Sequence, residues 1–311
     1  MSLVKRTIRN GVTVKAWTFD EFYGRDHKLL DGLQSLEQSF VGEVPPNFHG
    51  WTSKPKVRRI PEKKSGKRGP KFKKRYRIVQ ARPSCEVQNL ATYSSILRDR
   101  KWQRYRIKDT NKGPEVWEVK WCPFWRKSDE KLPSKKQCLI VARQVETGEI
   151  KYFVSNMVPG VNGATLRGIL SIAFHRSTVE GCFRTAKEEL GMDHFEVRGY
   201  RCVHRHWYAT HLSQLFCARV RQEFDPDPSS DFNEVTVEQI RSAINVWLST
   251  VDLSKRKRFQ KYQDELDRQT YYQKRNATAR KSHTKTTRAR LARLGIDADS
   301  IKSCKPKTDT P

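Results

Sequence analysis

The sequence has no apolar run approaching the roughly 18 residues needed to cross a bilayer, and no apolar centre of a secretion signal near its start, where residues 1–15 alternate basic and apolar side chains. A membrane-spanning or exported protein is therefore not expected, and the chain reads as soluble and cytoplasmic. Its seven cysteines are an odd number, widely scattered, with no C-x-x-C pair. That argues for reduced thiols and against a ribbon or finger zinc site. Acidic residues are also scarce, 34 Asp and Glu against 62 Lys and Arg, for a net charge of +28. A compact protein so charged repels itself without an anionic partner. Nucleic acid is the obvious one, and a membrane surface the rival. There is no internal repeat.

What is present suffices for a core. At 311 residues, with 36% hydrophobic and 10% aromatic residues, the chain can fill one large or two ordinary domains without disulfide staples. A mean hydropathy of -0.80 and 31% charged residues assign much of it to surface or tail.

Residues 1–46 read as helix, strand, helix, strand. Val4, Ile8 and Val12 fall at helical spacing, and Val14-Lys15-Ala16-Trp17-Thr18-Phe19 is a half-buried strand ending at Asp20 and a Tyr23-Gly24 turn. Asp26 can cap a helix with the apolar stripe Leu29, Leu30, Leu33 and Leu36, before Phe40-Val41-Gly42-Glu43-Val44 runs into Pro45-Pro46. That order predicts an α/β sheet. Residues 54–77 hold thirteen Lys and Arg and one acid, Glu62, which predicts a basic loop without a core. Residues 78–157 turn β-rich. Two strands surround Lys112-Gly113-Pro114, and a hairpin is expected around Thr147-Gly148. They look like an inserted antiparallel unit rather than more of the first sheet. Residues 164–222 return to helix, and Asp225-Pro226-Asp227-Pro228-Ser229-Ser230 reads as a linker. Thr236 and Gln239 then suggest a capping box for a helix carrying Ile240, Ile244, Trp247, Leu248 and Val251. Beyond Ser254 the chain is basic and polar, with seven Lys and Arg and no acid across residues 274–290, and reads as a DNA-contacting or disordered tail.

The segment that carries chemistry runs from Ala173 to Lys187. Read as one helix at about 100° per residue, it sets Arg176, Glu180 and Lys187 within about 40° on one face. Val179, Phe183, Ala186 and Leu190 make a neighbouring apolar stripe expected to pack inward. A carboxylate between two cations suits a metal-phosphate site, the Glu holding a divalent ion and the cations meeting DNA phosphates. The same spacing also suits an ordinary helix with Arg176 and Lys187 as ion-pair partners of Glu180.

Arg176-x3-Glu180-x6-Lys187, with Val179-Glu180-Gly181-Cys182-Phe183, the Lys187 to Arg198 block and His204-Arg205-His206, resembles the YREK-motif branch of insertion-sequence DDE transposases. Thr18-Phe19-Asp20-Glu21-Phe22-Tyr23-Gly24-Arg25 resembles that family's second catalytic Asp at a strand end. The resemblance spans most of residues 1–290, while Ala173 stands where the family has Tyr. It implies an RNase H-like fold in which Asp20 and Glu180 are catalytic and metal-binding acids, and Arg176 and Lys187 contact DNA phosphates. Two Mg²⁺ or Mn²⁺ ions would then cut and join transposon ends, with double-stranded DNA at those ends and at the target as partner, self-association left open, and a cytoplasmic, nucleoid-associated site of action. The family's first Asp has no counterpart, because no carboxylate precedes Asp20. The expectation is therefore an incomplete RNase H-like α/β fold with a β-rich insertion and a helical, basic C-terminal region, N-terminally truncated and inactive alone. Its missing strands would leave an unpaired sheet edge. The parts are expected at 1–46 (second Asp), 47–160 (basic loop and β-rich insertion), 161–224 (helices with the Glu) and 225–311 (linker, helix and basic tail).

Two other functions compete, a non-catalytic DNA-binding transposase remnant or inhibitor and a basic RNA-binding protein. Cys202, His204, His206 and His211 invite a zinc reading, but on a helix they split between two faces, which favours DNA or core contacts. Trp102, Tyr105, Trp117, Trp121 and Trp125 alternate with cations and are read as core before base-stacking platforms. Gly66-Lys67-Arg68-Gly69-Pro70 lacks P-loop spacing and fits non-specific phosphate contact.

Overall fold

The computed structural model describes residues 1–59, 76–79, 83–223, 235–301 and 303–304. The expected linker at 225–230 and the Gly66 to Pro70 motif lie outside them. The chain divides into two compact units, Met1–Arg176 with Thr286–Pro311, and Ser177–Lys285. The chain from Thr286 onward thus falls in the first unit rather than the second.

The first unit opens with α1 (Ser2–Arg9), β1 (Trp17–Phe19), α2 (Glu21–Gly24), α3 (His27–Ser35) and β2 (Phe40–Val44). Then come β3 (His49–Trp51), β4 (Val57–Arg59), β5 (Tyr76–Ile78), β6 (Cys85–Glu86), α4 (Val87–Tyr93) and α5 (Ser95–Arg98). β7 (Gln103–Thr110), β8 (Gly113–Arg126), β9 (Gln137–Gln144), β10 (Ile150–Ser155) and α6 (Leu166–His175) complete it before the second unit begins. The Asp26 carboxylate caps α3 by accepting from Lys28 N and Leu29 N, and Leu30 and Leu33 bury the stripe read from the sequence.

Eight strands form one mixed sheet in the order β1-β2-β10-β9-β8-β3-β6, with β7 also paired to β8. β1 and β2 are parallel, Phe19 beside Gly42, while β10 runs antiparallel to β2, Tyr152 beside Val44. This corrects the expectation of a separate inserted unit. The edge of β2 left free by β1 is satisfied by β10, so the antiparallel strands extend the first sheet, as backbone donors and acceptors inside a core require. Among the described residues β1 pairs only with β2, and Thr18 at this edge is exposed. A second correction concerns the basic loop, whose ends Val57–Arg59 and Tyr76–Ile78 pair as a two-stranded ribbon.

Strand alternation fills both faces of the sheet. Leu139 and Val141 pack with Leu30, Leu33, Val87 and Leu97 on one side, whereas Cys138, Ile140 and Ala142 pack with Leu166, Ile169, Leu170 and Ala173 of α6 on the other. Trp117 is buried in that second layer, and Trp102 lies against Lys120 and Arg143. Leu291, Ile296 and Ala298 from the chain's end pack on Val116.

The second unit is helical, with α7 (Ser177–Leu190), α8 (Tyr200–Glu223), α9 (Val237–Ser249) and most of α10 (Lys255–Arg293). The Thr236/Gln239 capping box opens α9 as read from the sequence. Of the stretch beyond Ser254, residues Lys255–Arg293 form a 39-residue helix, which corrects the disordered alternative. No helix among the described residues is long and apolar enough to cross a membrane.

Candidate functional site

Asp20 sits where β1 ends. Its backbone stays extended at φ -80° and ψ -179°, and its Oδ1 accepts from Tyr23 N at 3.2 Å, so the residue terminates the strand and caps α2 in one step. The half-buried carboxylate keeps Oδ2 without a hydrogen bond among the described residues, so one oxygen is structural and the other available. α2 is pressed onto β2. A Cβ on Gly24 would stand 1.8 Å from the Glu43 carbonyl oxygen, so this close approach admits only glycine. Glu43 is next in register beyond the Phe19–Gly42 pair, and its carboxylate is neutralised by Lys151 Nζ at 3.2 Å.

Beside the Asp20 turn lies a cavity of about 470 Å³ bordered by Glu21, Arg25, His27, His49, Lys127 and Asp129. One of its bordering side chains, His27, meets Arg126, the last residue of β8, which is fully buried and ion-paired to Asp31. Arg126 Nη1 lies 2.9 Å from His27 Nδ1. A guanidinium can only donate, so Nδ1 accepts and the ring proton sits on Nε2. Burial and the neighbouring Arg126 charge both lower the His27 pKa, which keeps the ring neutral. Burial likewise lowers the Arg126 pKa, with Asp31 opposing it. The sequence reading misses this network. His27 and Asp31 stand one helical turn apart, a visible signal, but their partner lies 95 residues further along the chain than Asp31.

In the second unit, α7 carries Glu180 in its first turn and Lys187 in its last. Seven residues place them about 20° apart and about 10 Å along the axis. Both are exposed. Arg176 belongs to the first unit, as the residue between α6 and α7, with helical φ -51° and ψ -40°. The helical run expected across Ala173 to Lys187 is divided into α6 and α7 on either side of Arg176, whose own dihedrals stay helical, and Glu180 and Lys187 share α7. The expected inward stripe is corrected as well. Ala186 is buried, but Val179 is 47% exposed and Phe183 48% exposed. α7 ends at Gly191, whose φ of +66° suits glycine, and His206 Nε2 meets the Gly191 carbonyl at 2.7 Å. Cys202, His204, His206 and His211 all stand on the continuous helix α8.

Among the described residues, no group of three or more His, Cys, Asp or Glu side chains is arranged to hold a metal ion. Asp20 lies in the first unit and Glu180 in the second. Two acids do not suit a pair of ions, which they would leave under-neutralised.

Residues 1–114 match the family model described as DDE superfamily endonuclease. The match includes Asp20 and stops before Glu180. Nucleases of that superfamily generally use divalent metals and act on DNA. No curated protein matches the chain.

Proposed function

We propose that this chain is a DNA-engaging protein of the insertion-sequence DDE transposase type, of the YREK branch and with an RNase H-like sheet, that binds transposon ends and does not cut them alone. The observation that carries the reading is Asp20 at the end of a parallel edge strand, inside the stretch matched by the DDE superfamily endonuclease model. In open α/β sheets, functional groups gather at the carboxyl ends of parallel strands. Asp20 and Glu180 serve the same divalent ion, Mg²⁺ or Mn²⁺, which when bound would polarise a phosphate oxygen. Arg176 and Lys187 neutralise DNA phosphates beside it, as charge-assisted donors do. A net charge of +28 supplies the long-range attraction to duplex DNA.

The cut-and-join reaction needs a second ion to activate the nucleophile, and two acids do not hold it. Binding without cutting is the consequence. The test is supercoiled plasmid incubated with the full chain in Mg²⁺ and, separately, Mn²⁺. Retarded, intact plasmid is expected, with Glu180→Gln retarding it equally and Lys187→Gln less. Robust metal-dependent nicking that Glu180→Gln abolishes would refute the inactivity. Retention of single-stranded RNA in preference to duplex DNA would refute the DNA assignment.

A further inference from the structure

The 39 residues of α10 contain no glycine or proline and extend about 58 Å at 1.5 Å per residue. Within residues 271–285, all but Ala277 and Thr284 are exposed, and those two are half-buried. This stretch holds Lys274, Arg275, Arg280, Lys281 and Lys285 and no acid. A stretch this polar and this exposed is held as helix by its continuity from one unit into the other, by i,i+4 ion pairs, or by a partner. Ion pairs of that kind are excluded here by the lack of acids. Asn276, Thr278, Ser282, His283 and Thr284 are moderate helix formers at best, which further weakens the stretch in isolation.

The placement of the cations says what the partner is. Lys274, Lys281 and Lys285 fall within about 40° of one another, a row about 16 Å long, while Arg275 lies about 100° to one side and Arg280 about 120° to the other. A helix lying on a flat anionic surface needs cations on one face only. Cations on a central row and both flanks suit a helix enclosed by two walls of phosphate. The major groove of duplex DNA is about 12 Å wide and takes a helix of about 10–12 Å diameter, with a phosphate strand on either side.

We propose that residues 271–285 of α10 form a duplex-DNA-binding helix that lies in the major groove and is stabilised as a helix by the two phosphate strands. The proposal is independent of Asp20 and Glu180, so binding is measured in EDTA, where cutting plays no part. Fluorescence anisotropy of the full chain on a short labelled duplex is compared with that of a variant carrying Lys274→Gln, Arg275→Gln, Lys281→Gln and Lys285→Gln. Each phosphate that the protein no longer neutralises flattens the slope of log affinity against log salt by about 0.9, which corresponds to about tenfold weaker binding per phosphate at 0.1 M salt. The expected result is a slope flatter by about 3 to 4, together with slowed hydrogen exchange at residues 271–285 of the unaltered chain when duplex is added. Unchanged affinity and slope in the variant would overturn the proposal. So would unchanged exchange at saturating duplex, which decides the matter even if the variant loses helix, and so would stronger protection of this stretch by single-stranded RNA than by duplex.

Discussion

Replacing Gly24 by alanine sets two physical effects against each other. Helix propensity alone favours alanine over glycine by up to about 1 kcal/mol, so a reading confined to α2 predicts a stabilised protein. The packing predicts the reverse. The new Cβ would stand 1.8 Å from the Glu43 carbonyl oxygen and 2.9 Å from its carbon, where ordinary contact begins at 3.4 Å. One of the two must move by about 1.5 Å to regain that distance. Glu43 cannot retreat, because β2 is held between β1 and β10. α2 must therefore lift, and the Asp20 cap and the buried face of Gly24 go with it. Overpacking of this kind costs about 3 kcal/mol. For a domain of this size, each kcal/mol shifts the midpoint by about 2–4 °C, so the transition of the first unit should fall by about 6–12 °C. Scanning calorimetry measures the midpoint, and hydrogen exchange at the Gly24 amide, bonded to the Asp20 carbonyl at 2.8 Å, reports whether the loss is local. A midpoint that stays or rises, with that amide still protected, would refute the claim that the close approach positions Asp20.

Other outcomes follow from the same geometry. Asp20→Ala removes a helix cap and should cost about 1 kcal/mol in urea unfolding, while Asp20→Asn, which keeps an accepting oxygen, should cost a few tenths. Leu291→Ala empties a fully buried site against Val116 and should cost about 3 kcal/mol, showing that residues 286–304 belong to the first unit; a loss below about 0.5 kcal/mol contradicts that. The folded pKa of His27 is below its ordinary 6.5, so its neutral form favours the fold. That stability is complete above the unfolded value, falls as pH drops from there towards the lowered folded value, and is constant below it. His27→Gln should therefore flatten the unfolding free energy between pH 7 and pH 5, and an unchanged slope would show that the ring is not held as described.

Signals carried within a few residues are legible in the sequence. The Asp26 cap with Leu30 and Leu33, the strand Phe40–Val44, the turn at Gly113 and the Thr236/Gln239 box depend only on local chemistry and stand where the pattern places them. What is not legible depends on distant pairing. Nothing near Tyr152 announces Val44 as its neighbour, so the β-rich stretch reads as a separate unit. The segment beyond Ser254 misleads because a basic, acid-poor composition resembles a solvated tail. The lack of glycine and proline across residues 255–293 and the apolar anchors Leu291 and Ile296 are the signals for a continuous helix returning to the first core. At the site, Asp20 is legible because a strand end followed by a cap has a local signature. Arg126 is not, because its partners His27 and Asp31 come from a helix 95 to 99 residues earlier. α7 shows a further limit of periodicity, since its spacing gives the shared face of Glu180 and Lys187 but not the exposure of Val179 and Phe183.

Whether Asp20 and Glu180 serve one ion is measured most directly by electron paramagnetic resonance titration of Mn²⁺ into the chain on duplex DNA, for the unaltered protein, Asp20→Asn, Glu180→Gln and the double variant. A shared ion predicts that either substitution abolishes the same protein-bound signal and that the double variant is no worse than either alone. Single variants that keep full Mn²⁺ binding, or losses that add as at two unrelated sites, would contradict it.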